Sequence, residues 1–336
     1  MKVALGVTAV LAFLFGVAAA QPPDGTILLR EVVALPADTS EAAQQRAKGI
    51  VLERINYASD GLEIEAFLAR PVENPKSALP CVIFNRGGNR DFGAFDAAGA
   101  AFVLGGMAQR GYIVVASNYR GNGKFGGEKY PGDRVCPVCK ERIGGLGREE
   151  FGGAEVDDVL ALIPVLEQLP QADTTRMAVY GRSRGGMMTY LTLKRSDRFK
   201  AAIVVAGVAD FAAGVDERPG MVEHVFRELI PGWDDPVTRA QAMKARSAVG
   251  WADQLPAQTP ILILQGTADW RVDPTQALDM ARALLIAKRP YRLVMLEGGD
   301  HGLSEYRDEV DRLVAEWLDR YVRDGANWPS LEPHGR

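Results

Sequence analysis

The pentad Gly181-Arg182-Ser183-Arg184-Gly185 is the stretch of the chain best suited to covalent chemistry. A serine with glycine two residues away on either side fits a sharp, strained turn that lifts its hydroxyl from a strand end, provided a strand precedes it and a helix follows. Residues 177–180 read as the strand and 187–194 as the helix. The helix dipole would favour negative charge developing beside Ser183. The competing reading is a Gly-rich link with no chemistry, and the motif outside this context would be weak.

A serine hydroxyl is a poor nucleophile until an imidazole takes its proton. The chain has three histidines, His224, His301 and His334. In the chain order nucleophile, acid, base, His224 comes too early, and His334 sits among Pro and Gly beside the carboxyl end, where order is least expected. His301, in Glu297-Gly298-Gly299-Asp300-His301-Gly302 after an apolar strand, is the candidate base; its other reading is a solvated loop histidine. The acid should leave the strand 261–265, and Gly266-Thr267-Ala268-Asp269 does so. Asp269 is preferred to Asp273, which precedes Pro274 and reads as a helix cap, and to Asp300, which adjoins the base too closely. For the oxyanion of acyl transfer, the Arg184 N–H is one candidate donor and Gly88 the other. Gly87 is the near alternative to Gly88 in Arg86-Gly87-Gly88-Asn89, and a simple turn is the non-functional reading.

These residues need a scaffold that brings strand ends together. From Cys81 onward, apolar runs of strand length (81–85, 112–118, 176–181, 201–206, 261–265, 292–296) alternate with helix-length amphipathic stretches, as in a mostly parallel sheet covered by helices. Val156, Val159, Leu160 and Ile163 share one helical face, with Pro164 breaking or kinking that helix. Tyr306, Val310, Leu313, Val314 and Trp317 share another. Residues 51–57 and 62–70 flank Ser59-Asp60-Gly61 and predict an antiparallel hairpin at the sheet edge. The fold class is therefore α/β, the α/β-hydrolase fold, with antiparallel N-terminal edge strands. Residues 210–256 interrupt the alternation and read as a helical insertion over the carboxyl edge, where ligands of open α/β sheets bind. The organisation expected is a leader over 1–20, an extension with the edge hairpin over 21–79, a catalytic domain over 80–325 and a tail over 326–336.

A formal charge of -4, with no long Lys or Arg run, gives no reason to expect nucleic acid or an anionic membrane as partner. A small-molecule or short-peptide substrate fits better, and no cofactor or metal is expected. Residues 1–20 carry Lys2, an apolar stretch and a small-residue end at Ala18-Ala19-Ala20, the order of a secretory signal peptide, with an uncleaved anchor as the alternative. Export to the periplasm or the medium is expected, with no membrane contact after cleavage. Cys136 and Cys139 form a C-x-x-C without the further ligands zinc requires, so a local disulfide is the first reading, free thiols the second, and a metal or redox site the third. Cys81 reads as an inert core thiol.

Asn118-Tyr119-Arg120-Gly121 with Phe125-Gly126, the serine turn 181–186, Gly266 to Asp269 and 299–302 together resemble the catalytic domain of the prolyl oligopeptidase family, including its acylaminoacyl-peptidase and dipeptidyl-peptidase branches, over residues 80–322. The resemblance implies serine-dependent hydrolysis of peptide or ester bonds. The family's usual His-Gly-Gly-Pro is Arg86-Gly87-Gly88-Asn89 here, and its usual Tyr after the serine is Arg184, which implies an altered pocket. The propeller that gates many members is not expected, because about sixty mature residues precede Cys81. Arg86, Tyr119, Arg182 and Trp270 are candidate pocket residues, and Phe226, Trp233 and Trp251 are candidate lid-wall residues that could equally pack the insertion onto the core. Arg86, Arg182 and Arg184 together suggest substrates with a nearby carboxylate; salt bridges to Glu or Asp are the plain alternative. The reading is a serine peptidase on small peptides, with a carboxylesterase as the alternative; a non-catalytic protein of the same fold or a redox protein built on the cysteines are the other classes.

Overall fold

The structure is a computed structural model that describes residues 21–73, 77–122, 124–125, 128–129 and 147–335. The leader 1–20 and the pair Cys136 and Cys139 lie outside the described residues. In chain order the strands are β1 (Ile27–Val32), β2 (Ile50–Ser59), β3 (Leu62–Pro71), β4 (Leu79–Asn85), β5 (Ile113–Ser117), β6 (Lys124–Phe125), β7 (Glu128–Lys129), β8 (Ala172–Arg182), β9 (Ala201–Val205), β10 (Ile261–Gly266) and β11 (Tyr291–Leu296). Apart from the small β6–β7 ladder they form one sheet in the order β1-β2-β3-β5-β4-β8-β9-β10-β11.

From β5 to β11 every neighbour is parallel, whereas β1, β2 and β3 join in antiparallel pairing. β4, β5, β9 and β10 are apolar at nearly every position because helices cover both faces, so alternation is not needed. One face packs on helices Glu155–Leu160, Leu162–Glu167, Arg184–Arg195 and Thr275–Ile286, the other on Ala97–Gln109 and Arg307–Leu318. The first two of these helices part at Ala161. Pro164 accounts for the break, since it has no N–H for the Leu160 carbonyl and its ring crowds that group.

The hairpin β2–β3 closes through Asp60 (φ 51) and Gly61 (φ 72), the two positive φ values of a type I′ turn. It is not the outermost edge: β1 pairs outside it, in register from Leu29 opposite Asn56 to Val32 opposite Glu53, with a shift between Ile27 and Leu29. The sequence Ile27-Leu28-Leu29-Arg30-Glu31-Val32 lacks a period-two pattern because on the sheet's rim neither face of the strand is fully buried. Within 210–256 the chain forms several short helices, with Phe211–Glu217, Pro236–Arg246 and the 3₁₀ segment Ala248–Gln254 the longer ones. Phe211, Phe226 and Trp233 make edge-to-face or tilted ring contacts with centroids 4.8 to 6.5 Å apart, and Phe151 joins them. The Trp251 indole donates to the Lys244 carbonyl at 3.2 Å and carries the Lys194 ammonium over its ring. Trp233 and Trp251 are thus buried packing residues that attach the insertion to the core, not walls of a site.

Candidate active site

β8 ends at Arg182 and the helix Arg184–Arg195 begins two residues later, so Ser183 alone makes the turn, at φ 57 and ψ -127. A non-glycine residue in this region costs about 1–3 kcal/mol, which the surroundings must over-determine. They do so by close backbone approach. A Cβ at Gly181 would overlap the Gly185 carbonyl, and one at Gly185 would overlap the Asn85 carbonyl at the end of β4. Ser183 N–H donates to Val205 on β9 at 2.9 Å, and the Ser183 carbonyl accepts from Gly186 at 2.8 Å.

The acid and base come from the ends of β10 and β11, beyond β9 in the sheet. His301 Nε2 lies 2.9 Å from Ser183 Oγ, and its Nδ1 lies 2.8 and 3.0 Å from the two Asp269 oxygens. Asp269 also accepts from the Arg271 N–H at 2.8 Å, the Val272 N–H at 3.1 Å and Gln265 Nε2 at 3.0 Å. Burial would raise its pKa, but the hydrogen bonds from His301, Val272 and Arg271 outweigh burial and hold it below the usual carboxylate range. The two loops clasp each other: Ala268 N–H donates to Gly299 at 3.0 Å and Gly298 N–H to Thr267 Oγ1 at 2.7 Å. Asp273 accepts from the Thr275 N–H and hydroxyl ahead of the next helix, whose N-cap is Pro274, and Asp300 accepts from Gly302 N–H, so neither competes for the imidazole. His224 is exposed on the insertion and His334 lies in the tail.

The four candidate pocket residues are placed differently from the sequence expectation. Arg86 is buried and satisfied by the carbonyls of Gly87, Arg90, Phe92 and Asn118. Tyr119 is buried too; its hydroxyl donates to the Arg86 carbonyl at 3.1 Å, and the Arg86 and Arg184 guanidinium groups lie over its ring. Arg182 donates to the Gly302 carbonyl at 2.7 Å and so braces the loop that carries His301. Trp270 is 71% exposed and stands outside the cavity. Arg86 and Arg184 share a reason: both are buried, and their terminal guanidinium nitrogens are engaged by the backbone or by carboxylates.

Arg184 shows this most clearly. Its guanidinium is 2% exposed, donates to the Gly88 carbonyl at 3.0 Å and to Glu149 at 3.1 Å, and pairs with Glu155. Burial would depress its pKa, but the two carboxylates reverse the shift and keep it charged. Glu155 is shifted down by Arg184 and by backbone N–H groups of residues 150–155, against burial. Sequence reasoning missed both glutamates, since nothing along the chain marks a carboxylate as buried. The side chain of Arg184 thus fixes the Gly88 loop, while its own N–H, first in the helix, has no partner within that helix. Gly88 has φ 74, and a Cβ there would overlap the Phe92 carbonyl.

Ser183 opens into a cavity of about 160 Å³ whose wall is mainly Phe151, Val208, Phe211, Met221, Phe226 and Val272, with Gly88 and Arg184 beside the serine. Phe226 is the one candidate wall residue of the insertion that lines it. Arg218, Arg271 and Gln276 supply its polar edge, none of them singled out by sequence.

A strained serine at the end of β8 and its acid and base after β10 and β11, on a sheet of this topology, define an α/β-hydrolase of the serine type. The chain belongs to the prolyl oligopeptidase family, whose model matches residues 144–325. It is 27% identical over 286 residues to the uncharacterized peptidase YuxL of Bacillus subtilis, covering 80% of this chain and 39% of that protein. It is 29% identical over 268 residues to the acylamino-acid-releasing enzyme of Sus scrofa, covering 78% of this chain and 34% of that one. The chain therefore spans little more than a third of the length of these relatives. The acylaminoacyl peptidase of Pyrococcus horikoshii superimposes with a TM-score of 0.66 at 22% identity, over 86% of this chain and 44% of that one, a likeness of fold.

Proposed function

We propose that the protein is a serine peptidase that cleaves short peptides through an acyl-enzyme on Ser183. The observation that carries this reading is the continuous contact from Ser183 Oγ to His301 Nε2 at 2.9 Å and from His301 Nδ1 to Asp269 at 2.8 Å. In the first half-reaction His301 takes the hydroxyl proton as Oγ attacks the scissile carbonyl, and ionised Asp269 holds the tautomer and stabilises the imidazolium. The N–H groups of Arg184 and Gly88 are the donors for the oxyanion, a term worth about a hundredfold or more per donor. The tetrahedral intermediate collapses as His301 protonates the leaving amine, and water then repeats the sequence to release the acid and free Ser183. The names of its relatives, peptidase and acylamino-acid-releasing enzyme, support a peptide bond as the target. We also infer export, on the strength of the leader sequence alone.

The test is a side-by-side screen of aminoacyl-p-nitroanilides, short peptides and acyl esters with the full chain and its Ser183→Ala variant. Turnover of peptides or anilides that disappears in the variant is the expected result. Ester turnover with intact peptides would make the protein a carboxylesterase, and equal turnover by the variant would remove Ser183 from the mechanism.

A further inference from the structure

Two cations at the site make no ion pair among the described residues. Arg218 follows the insertion helix Phe211–Glu217, Arg271 follows Asp269 by two residues, and both line the cavity that holds Ser183. Arg218 Nη1 donates to the Arg271 carbonyl at 3.3 Å, and the two guanidinium groups lie 5.5 and 5.0 Å from the centre of the Trp270 ring. They are therefore neighbours. Among the described residues neither makes an ion pair, unlike Arg90 and Arg227, which find Glu228 and Asp234 on the same insertion. The carboxylates nearby are engaged elsewhere: Asp269 holds His301, Asp273 accepts from Thr275, and Glu217 bonds Gln276. Burial and the Arg271 charge disfavour the charged form of Arg218, and the Asp269 carboxylate offsets them only in part. Two cations at one ring on a half-buried rim repel each other until an anion joins them, and a guanidinium fork matches a carboxylate in shape and charge.

The size of the cavity limits where that anion can sit. At about 160 Å³ it is roughly half the ~300 Å³ at the lower end for drug-sized ligands, so it takes one side chain or a short acyl group. With Ser183 and both arginines on that one small space, a carboxylate between the arginines belongs to the acyl half of the substrate.

We propose that Arg218 and Arg271 form an anion subsite that selects substrates whose acyl half carries a free carboxylate within one residue of the scissile carbonyl. An acidic side chain before the scissile bond, or an N-terminal cap derived from a dicarboxylic acid, meets that description. The proposal rests on the assignment of Ser183 as nucleophile, and its test separates the two. Substrate kinetics compare N-succinyl-alanyl with N-acetyl-alanyl p-nitroanilide, and N-acetyl-glutamyl with N-acetyl-glutaminyl p-nitroanilide, at low ionic strength. In at least one pair the acidic member should have kcat/KM about tenfold or more above the neutral one, the scale of a charge-assisted bidentate contact. In Arg218→Ala that ratio should fall towards unity, and Arg218→Lys should keep part of it. A merely structural role for Arg218 would lower both members equally and leave the ratio in place. Calorimetry on the Ser183→Ala protein, with N-succinyl-alanine amide and N-acetyl-alanine amide as ligands, reads the subsite without chemistry. Tighter binding of the succinyl ligand supports the subsite even if no anilide is cleaved. Equal binding of the two ligands, or acidic and neutral substrates cleaved alike in both pairs, overturns it while leaving the nucleophile assignment untouched.

Discussion

Replacing Arg184 by Met should damage the protein in a way that its neighbour Ser183 would not. The guanidinium is buried between Glu149 and Glu155 and also holds the Gly88 carbonyl at 3.0 Å. Methionine approximates the volume but leaves Glu155 buried without its ion-pair partner and Glu149 with only Arg86, 3.7 Å away. Breaking a buried pair from one side costs about 3–5 kcal/mol. At roughly 2 °C per kcal/mol for a domain of this size, the melting temperature should fall by about 6–10 °C. The released Gly88 loop carries a candidate oxyanion donor, so kcat should drop by about tenfold to a hundredfold, with KM changing less. Adding Glu155→Gln removes one of the stranded charges, and the double variant should lose less stability than the two single losses combined. Calorimetric melting and steady-state kinetics on the native protein, both single variants and the double variant are the assays. A melting temperature for Arg184→Met within a degree of the native protein would refute the reasoning, because the carboxylates would then need no buried cation.

Three further outcomes follow from the structure. Asp269→Asn should lower kcat by about 10⁴ while leaving the fold intact, since the imidazole loses the group that fixes its tautomer. The depressed pKa of Asp269 means that its contribution to stability is present above the ordinary aspartate value and lost only as pH falls through the lower folded value. The fall of kcat/KM towards acid should accordingly show no protonation of Asp269 near pH 4, about where unperturbed aspartates titrate; a step assigned to Asp269 there would contradict this. Burial, with Asp173 adding to it, pushes the Cys81 thiol up to about 12, so iodoacetamide at pH 8 should reach Cys81 only as fast as the chain unfolds. Mass spectrometry of the Cys81 peptide provides the check, and rapid alkylation in the folded protein would count against the burial.

The sequence carries the site better than the pocket, for physical reasons. Ser183, Asp269 and His301 each follow an apolar run and a glycine, and strand ends converge in a parallel sheet, so local pattern and chain order suffice to bring them together. The arginines mislead because charge is visible in a sequence and burial is not. Arg184 looks like a substrate contact until Glu149 and Glu155, about thirty residues earlier, are seen folded against it. Arg218 and Arg271 look like ordinary surface charges until the insertion and the acid loop meet at one cavity. At the element level, β4, β9 and β10 are legible as apolar runs. β1 lacks alternation, and the first residues of β8, Ala172 to Thr175, are too polar to read as strand. Trp233 and Trp251 suggest a lid by composition, yet large aromatic rings are also what holds a helical insertion down.

The central claim, that Ser183 is the residue acylated during turnover, is tested most directly by locating a covalent adduct. A fluorophosphonate should leave a single adduct on the peptide containing Ser183, form it far more slowly in His301→Ala, and form none there in Ser183→Ala. Labelling at another residue, or undiminished labelling of the Ser183→Ala protein, would contradict the account.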